Sequence, residues 1–169
     1  MTPSTPYTTV CVSGGFDPVH IGHLRMMQEA ATHGNLIVIV NSDKWLMRKK
    51  GYIFMPFEER CEILRGFGCV HDTTFVVDTD STVCEALQRL KPDYFANGGD
   101  RKTDNTPEMA VCKKLGIELL WSIGGSKIQS SSELVTSSPM LASHPTVHDG
   151  VELTPSRVEI LFGGDVSKK

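Results

Sequence analysis

Ser13-Gly14-Gly15-Phe16-Asp17-Pro18-Val19-His20-Ile21-Gly22-His23 follows the β-branched run Thr8-Thr9-Val10-Cys11-Val12 and leads into an amphipathic segment from Leu24 to His33. The order is strand, glycine turn, helix. A helix N-terminus leaves backbone N–H groups without intrahelical partners and carries about half a positive charge, so such a turn makes a site for phosphate. Gly14 and Gly15 are expected to let a ligand come close to the backbone. With the helix beginning near Pro18, whose fixed φ suits the first helical position, His20 and His23 stand three apart on one face. Both imidazoles then meet the same ligand. Each can donate to a phosphoryl oxygen, and a nearby anion favours the protonated ring.

Working outward, strand-like and helix-like segments alternate, which is the pattern of a parallel sheet with crossover helices. Leu36-Ile37-Val38-Ile39-Val40 is a continuous apolar run, as expected of a strand buried on both faces. A turn-rich, basic stretch follows, and then a helix from Pro56 to Arg65 with proline at its start and acids in its first turn. Thr73 to Val77 reads as a strand, Thr82 to Leu90 as a helix, and Tyr94-Phe95-Ala96 as a short strand. Pro107 to Leu115 is a helix stopped by Gly116, and Ile117 to Trp121 is the last strand. The expected fold is α/β, a doubly wound Rossmann-like parallel sheet of about five strands. It occupies one domain over residues 8–138, with a C-terminal extension over 139–169 whose role the sequence leaves open.

Composition removes several classes of function. The 169 residues carry a net charge of −3, without the basic excess of a nucleic-acid binder. No stretch approaches a membrane span, and Met1-Thr2-Pro3-Ser4-Thr5-Pro6 lacks the basic region and apolar core of a secretory signal, so a cytoplasmic location is expected. Cys11, Cys61, Cys69, Cys84 and Cys112 form no C-x-x-C pair and read as reduced thiols. His144 and His148 have metal-pair spacing, but Pro145 between them argues against a helix. No metal-ligating cluster is expected.

In such a sheet ligands bind beyond the carboxyl ends of the strands, and four polar clusters fall there. The first is Gly14 to His23. The second, Asn41 to Lys50, has four basic residues and no acid from Lys44 onward; it is either a solvated face or a mobile clamp for phosphate oxygens. The third, Asn97-Gly98-Gly99-Asp100-Arg101, is either an ordinary tight turn or a place where a base or ribose packs on bare backbone. In the second case Asp100 accepts hydrogen bonds from sugar or base, and Arg101 donates to phosphate. The fourth, Gly124 to Leu134, brings Ser130, Ser131 and Ser132 to a helix start, as caps or as an anion site.

Gly15-Phe16-Asp17-Pro18-Val19-His20-Ile21-Gly22-His23, with Gly14 ahead of it, resembles the G-x-F-D-x-x-H-x-G-H motif of the cytidylyltransferase-like nucleotidyltransferases. That superfamily includes heptose-1-phosphate adenylyltransferase and glycerol-3-phosphate cytidylyltransferase. The resemblance extends over Val10 to Leu134, through the N-S-D segment at Asn41, the G-G-D turn at Gly98 and the serine-rich element. It implies transfer of a nucleotidyl group from an NTP to the phosphate of a small sugar or polyol phosphate, with release of pyrophosphate. His20, His23 and Lys44 are then the expected catalytic residues. Gly15, Phe16, Asp17, Lys50, Gly99, Asp100, Arg101, Ser130, Ser131 and Ser132 are expected around the nucleotide, with Ser131 and Ser132 foremost among the serines. It further implies Mg²⁺ on the triphosphate and a homodimer. N-S-D and G-G-D look closer to the heptose enzyme, favouring ATP; CTP, with a product such as CDP-glycerol, is the alternative. Arg60 is expected to pair structurally or to reach substrate. A catalytically silent nucleotide-binding module is a different class of reading, and a tRNA synthetase fragment a third, disfavoured by length and charge.

Overall fold

The computed structural model describes residues 7–77, 80–99 and 106–137. Five strands, β1 (Thr9–Gly14), β2 (Asn35–Val40), β3 (Asp72–Phe75), β4 (Tyr94–Gly98) and β5 (Glu118–Ile123), form one parallel sheet in the order β3-β2-β1-β4-β5. Helices α1 (Ile21–Ala30), α2 (Asp43–Lys50), α3 (Phe57–Arg65), α4 (Cys84–Leu90), α5 (Pro107–Leu115) and α6 (Ser131–Thr136) connect and follow them. Chain order reverses between β1 and β4, where the sheet is doubly wound and a crevice opens at the strands' carboxyl ends.

Strand period divides the core into two layers. Val10 and Val12 of β1, with Leu36, Val38 and Val40 of β2, pack on one face against Met27 and Ala30 of α1 and Leu64 of α3. Cys11, Ile39 and Phe95 point to the other, against Ala86 and Leu87 of α4 and Cys112 of α5. The cysteines are free. Burial pushes the Cys11 thiol up to about 12 and that of Cys112 up to about 11, which keeps both protonated and inert.

Two local readings differ from the structure. The basic stretch after β2 is a helix, α2. The Ser42 hydroxyl accepts the Trp45 N–H at 3.0 Å, Gly51 ends the helix in the left-handed region, and Arg48, Lys49 and Lys50 lie at the negative end of its dipole. Among its residues Leu46 is buried, too few apolar contacts to print a helical stripe on the sequence. Second, α1 begins at Ile21, so Pro18 stands before the helix and His20 is its N-cap in extended conformation. Among the described residues no helix is long and apolar enough to cross a membrane. Residues 138–169, which include the whole of the expected extension, lie outside the described residues.

Candidate active site

At the crevice beyond β1, β4 and β5 lies a cavity of about 490 Å³. The four polar clusters all reach it: Ser13 to His23 through His20 and His23, the basic stretch through Lys50, the G-G turn through Gly98 and Gly99, and the last loop through Gly124 to Ser132.

The two histidines form the cap of α1. The Gly22 N–H donates to Nδ1 of His20 at 3.1 Å, and the His20 N–H donates to Nδ1 of His23 at 3.3 Å. The rings stack with centroids 3.8 Å apart, and Phe16 meets His23 edge-on at 5.0 Å. One first-turn N–H expected to face a phosphate, that of Gly22, is thus taken up by an imidazole nitrogen. An Nδ1 that accepts has no proton, so each neutral ring carries its hydrogen on Nε2, the nitrogen left for a ligand. The positive end of the helix is relayed through the rings rather than offered bare.

Charge state follows from the same packing. Burial, reinforced by Lys50 and Lys127, lowers the pKa of His20. Burial, reinforced by His20 and Lys50, pushes His23 down to about 3. Without a bound anion both rings are neutral at pH 7, where the sequence had suggested protonation in an anion's presence. Folded His23 takes up its proton far below the ordinary value of about 6.5, so the unfolded chain binds more protons between these values. Stability therefore rises with pH through that window and levels off above it. Acidification from pH 7 to 5 should destabilise the fold by at most about 2 kcal/mol through His23, with His20 acting in the same direction. Thermal midpoints measured across that range should fall less steeply for His23→Ala than for the unsubstituted chain; parallel curves would refute the assignment.

Lys50 points its Nζ at the Asp17 carbonyl, 2.8 Å away, which holds the cation beside the histidines. Burial lowers its pKa, partly opposed by Asp17. Lys44 is exposed and does not line the cavity. The two lysines are six positions apart on α2, about 120° apart around its axis, so they leave the helix in different directions.

Several expected nucleotide contacts face the protein instead. Asp17 is fully buried, and its carboxylate accepts the N–H groups of Phe54 at 2.9 Å and Met55 at 2.6 Å. Its work is to hold the loop before α3 against the motif. A Cβ on Gly15 would come within 2.9 Å of Leu46, so the lack of a side chain there makes room for α2. Phe16 is buried at φ +52° and forms a wall of the cavity behind His23. Gly99 lines the cavity; Asp100 and Arg101 lie outside the described residues. Of the serines, Ser130 accepts the Glu133 N–H at 3.1 Å, and Ser131 donates to the Pro18 carbonyl at 2.9 Å, tying α6 to the motif. All three serines border the cavity.

Arg60, fully buried, supports this assembly from beneath. Its guanidinium donates to the carbonyls of Gly15 at 2.6 Å, Asn41 at 2.8 Å and Met55 at 3.0 Å, and pairs with Asp43 at 2.6 Å. The turns after β1 and β2 and the loop before α3 are thereby joined at one side chain. Some lining residues were not singled out in the sequence, Lys127 and Met26 among them. Lys127, within the fourth cluster, is a cation between a glycine turn and the serines, a visible signal. Met26 gave none: it is an ordinary helix residue whose backbone presses so closely on Gly124 that a Cβ there would sit 2.7 Å from its Cα.

The cavity lining contains no carboxylate among the described residues, and no group of three or more His, Cys, Asp or Glu gathers among them to hold a metal. What the lining offers is Nε2–H donors, ammonium groups, hydroxyls and backbone at glycines, the chemistry of a polyphosphate site.

Comparison with known proteins agrees with this geometry. The cytidylyltransferase-like family profile matches residues 11–133. Bifunctional protein HldE of Syntrophotalea carbinolica is 37% identical over 121 residues, 70% of this chain and 23% of that protein. The chain thus spans about a quarter of the length of the bifunctional relatives it matches. D-beta-D-heptose 1-phosphate adenylyltransferase of Bordetella bronchiseptica is 34% identical over 116 residues, covering 66% of this chain and 70% of that one. FAD synthase of Pyrococcus abyssi is 32% identical over 112 residues, covering 65% and 75%.

Proposed function

This chain belongs to the cytidylyltransferase-like family, and on that premise we propose that it is a nucleotidyltransferase that takes ATP in preference to CTP. An oxygen of a phosphate monoester attacks the α-phosphorus of the nucleotide; the bond from that phosphorus to the β-bridging oxygen breaks, and pyrophosphate leaves with the electron pair. The attacking phosphate is already anionic near neutral pH, so no general base is needed. Catalysis then consists of holding the reactants in line and meeting the charge that develops on the transferred phosphoryl group and on the departing pyrophosphate.

The observation that carries this reading is the stacked pair His20 and His23, each with Nδ1 fixed on backbone N–H and Nε2 left for the cavity. Such donors are set before substrate arrives and need no reorientation during the reaction. Lys50, Lys127 and the α6 end of the cavity supply further positive and hydroxyl groups along the phosphate chain. Mg²⁺ would come with the triphosphate and would offset its charge, since no metal-ligating cluster gathers among the described residues, and no step is assigned to a protein-held metal.

Preference for adenine is supported by relatives named adenylyltransferase and FAD synthase. The heptose 1-phosphate in one of those names supports a phosphate monoester as acceptor, and a small sugar or polyol phosphate is the acceptor we propose. The test is pyrophosphate release from ATP and from CTP across a panel of sugar, polyol and flavin phosphates. ATP with one acceptor should turn over, with the nucleotidyl product seen by mass spectrometry. Nucleotide binding without product on the whole panel would favour a silent binding module.

A further inference from the structure

Helix α1 turns one stripe of residues toward the loop after β5. Gly22, Met26 and Glu29 are spaced four and three positions apart, so they line one side of the helix over about 10 Å. The Glu29 carboxylate accepts the Gly124 N–H at 2.8 Å. One turn earlier, the Met26 backbone packs on the same glycine. At the start of the helix, a Cβ on Gly22 would stand 3.7 Å from Cγ1 of Ile128. The loop from Gly124 to Ile128 therefore runs back along α1, from its last turn to its first, and borders the cavity throughout.

Lys127 is carried on that loop. A Cβ on Gly99 would lie 3.8 Å from the Lys127 Cβ, which places the lysine beside the turn after β4, and its charge is among those that act on His20. Little else holds the segment. Ser126 to Gln129 are exposed and make no hydrogen bond among the described residues. Ahead of them Gly124 and Gly125 stand at φ +86° and +73°, a left-handed pair about which the loop can swing. Two hydrogen bonds restrain this hinge. The one from the Gly125 N–H to the Ser122 carbonyl is long, at 3.3 Å; the one to the Glu29 carboxylate is short and charge-assisted. Glu29 is not itself part of the cavity lining.

We propose that Glu29 is a positioning residue: by holding Gly124 it sets the reach of Lys127 over the cavity, on the same helix that the two histidines cap. The ammonium and the imidazole donors are thereby fixed to one body, so a polyphosphate spanning them does not have to order the loop as it binds. This rests on the reading of the cavity as a nucleotide site. Charge alone would make Glu29 a hindrance to an anion nearby, which separates its two possible effects by sign.

Titration calorimetry with ATP and Mg²⁺ tests it on the full chain, on Glu29→Ala, Glu29→Gln and Lys127→Ala, and on the Glu29→Ala/Lys127→Ala double variant, each checked for folding by circular dichroism. Lys127→Ala should weaken binding by about tenfold and Glu29→Ala by about fivefold, whereas Glu29→Gln, which keeps an acceptor oxygen, should change it by less than about twofold. In the double variant the loss should equal that of Lys127→Ala alone, because a latch has nothing left to position. Additive losses, a glutamine variant as weak as the alanine one, or tighter binding by Glu29→Ala would each overturn the proposal. Hydrogen exchange of the Gly124 amide, measured without nucleotide, should quicken by about tenfold or more in Glu29→Ala. A chain that binds no ATP refutes the nucleotide reading, and the latch is then decided by exchange alone; unchanged exchange overturns it in either case.

Discussion

His23→Ala should lower kcat/KM for pyrophosphate release by about 100-fold or more while the protein stays folded. The size follows from the loss of one preorganised donor at a site of developing phosphoryl charge. The ring also accepts the His20 N–H at 3.3 Å, stacks on His20 and meets Phe16, so its removal frees the second histidine to turn. Loss of that cap contact should cost about 1 kcal/mol of stability near pH 7. Below pH 6.5 part of this returns, since the variant no longer carries a ring that resists protonation in the fold. A variant with full turnover would remove His23 from the chemistry.

Arg60→Met should destabilise the fold by about 2–4 kcal/mol, chiefly the cost of leaving several buried carbonyls without a donor, since the Asp43 side chain is 37% exposed. Methionine roughly fills the space but donates nothing, so the carbonyls of Gly15, Asn41 and Met55 and the Asp43 carboxylate lose a partner together. Arg60→Lys should recover little, because a single ammonium cannot span groups that a planar guanidinium reaches in a fork. Urea unfolding measures both. A change below about 1 kcal/mol for methionine would show that water replaces the guanidinium and that the three segments hold without it.

How much of this was legible in the sequence can be judged residue by residue. The parallel sheet was, because Leu36 to Val40 is apolar at every position and Val10-Cys11-Val12 must face two layers. Pro107 and Gly116 marked both ends of α5 correctly. Convergence of the four polar clusters was also legible, since it follows from the topology of strand ends. Helix α2 was not: Asn41-Ser42-Asp43 spells a turn, and the Ser42 cap that converts it into a helix start is a matter of geometry.

The inner layer of the candidate site was hidden for a different reason. A buried carboxylate at Asp17 and a buried guanidinium at Arg60 have the same spelling as ligand-binding ones. What separates them is whether backbone N–H and C=O groups of distant segments reach them first, as Phe54, Met55, Gly15 and Asn41 do here. His20 and His23 were singled out by their spacing, and both line the cavity. Their use of Nδ1 to cap α1, which settles the tautomer, and the burial that lowers both pKa values needed coordinates.

The most direct measurement is NMR of the isotope-labelled imidazole nitrogens of His20 and His23 during titration with ATP in the presence of Mg²⁺, near pH 7. Both rings should be neutral with the proton on Nε2 in the free protein, and both Nε2 signals should move on saturation while each Nδ1 stays hydrogen-bonded to backbone. Rings protonated on Nδ1, or Nε2 signals that do not respond to bound nucleotide, would contradict the assignment of this pair as the phosphate donors.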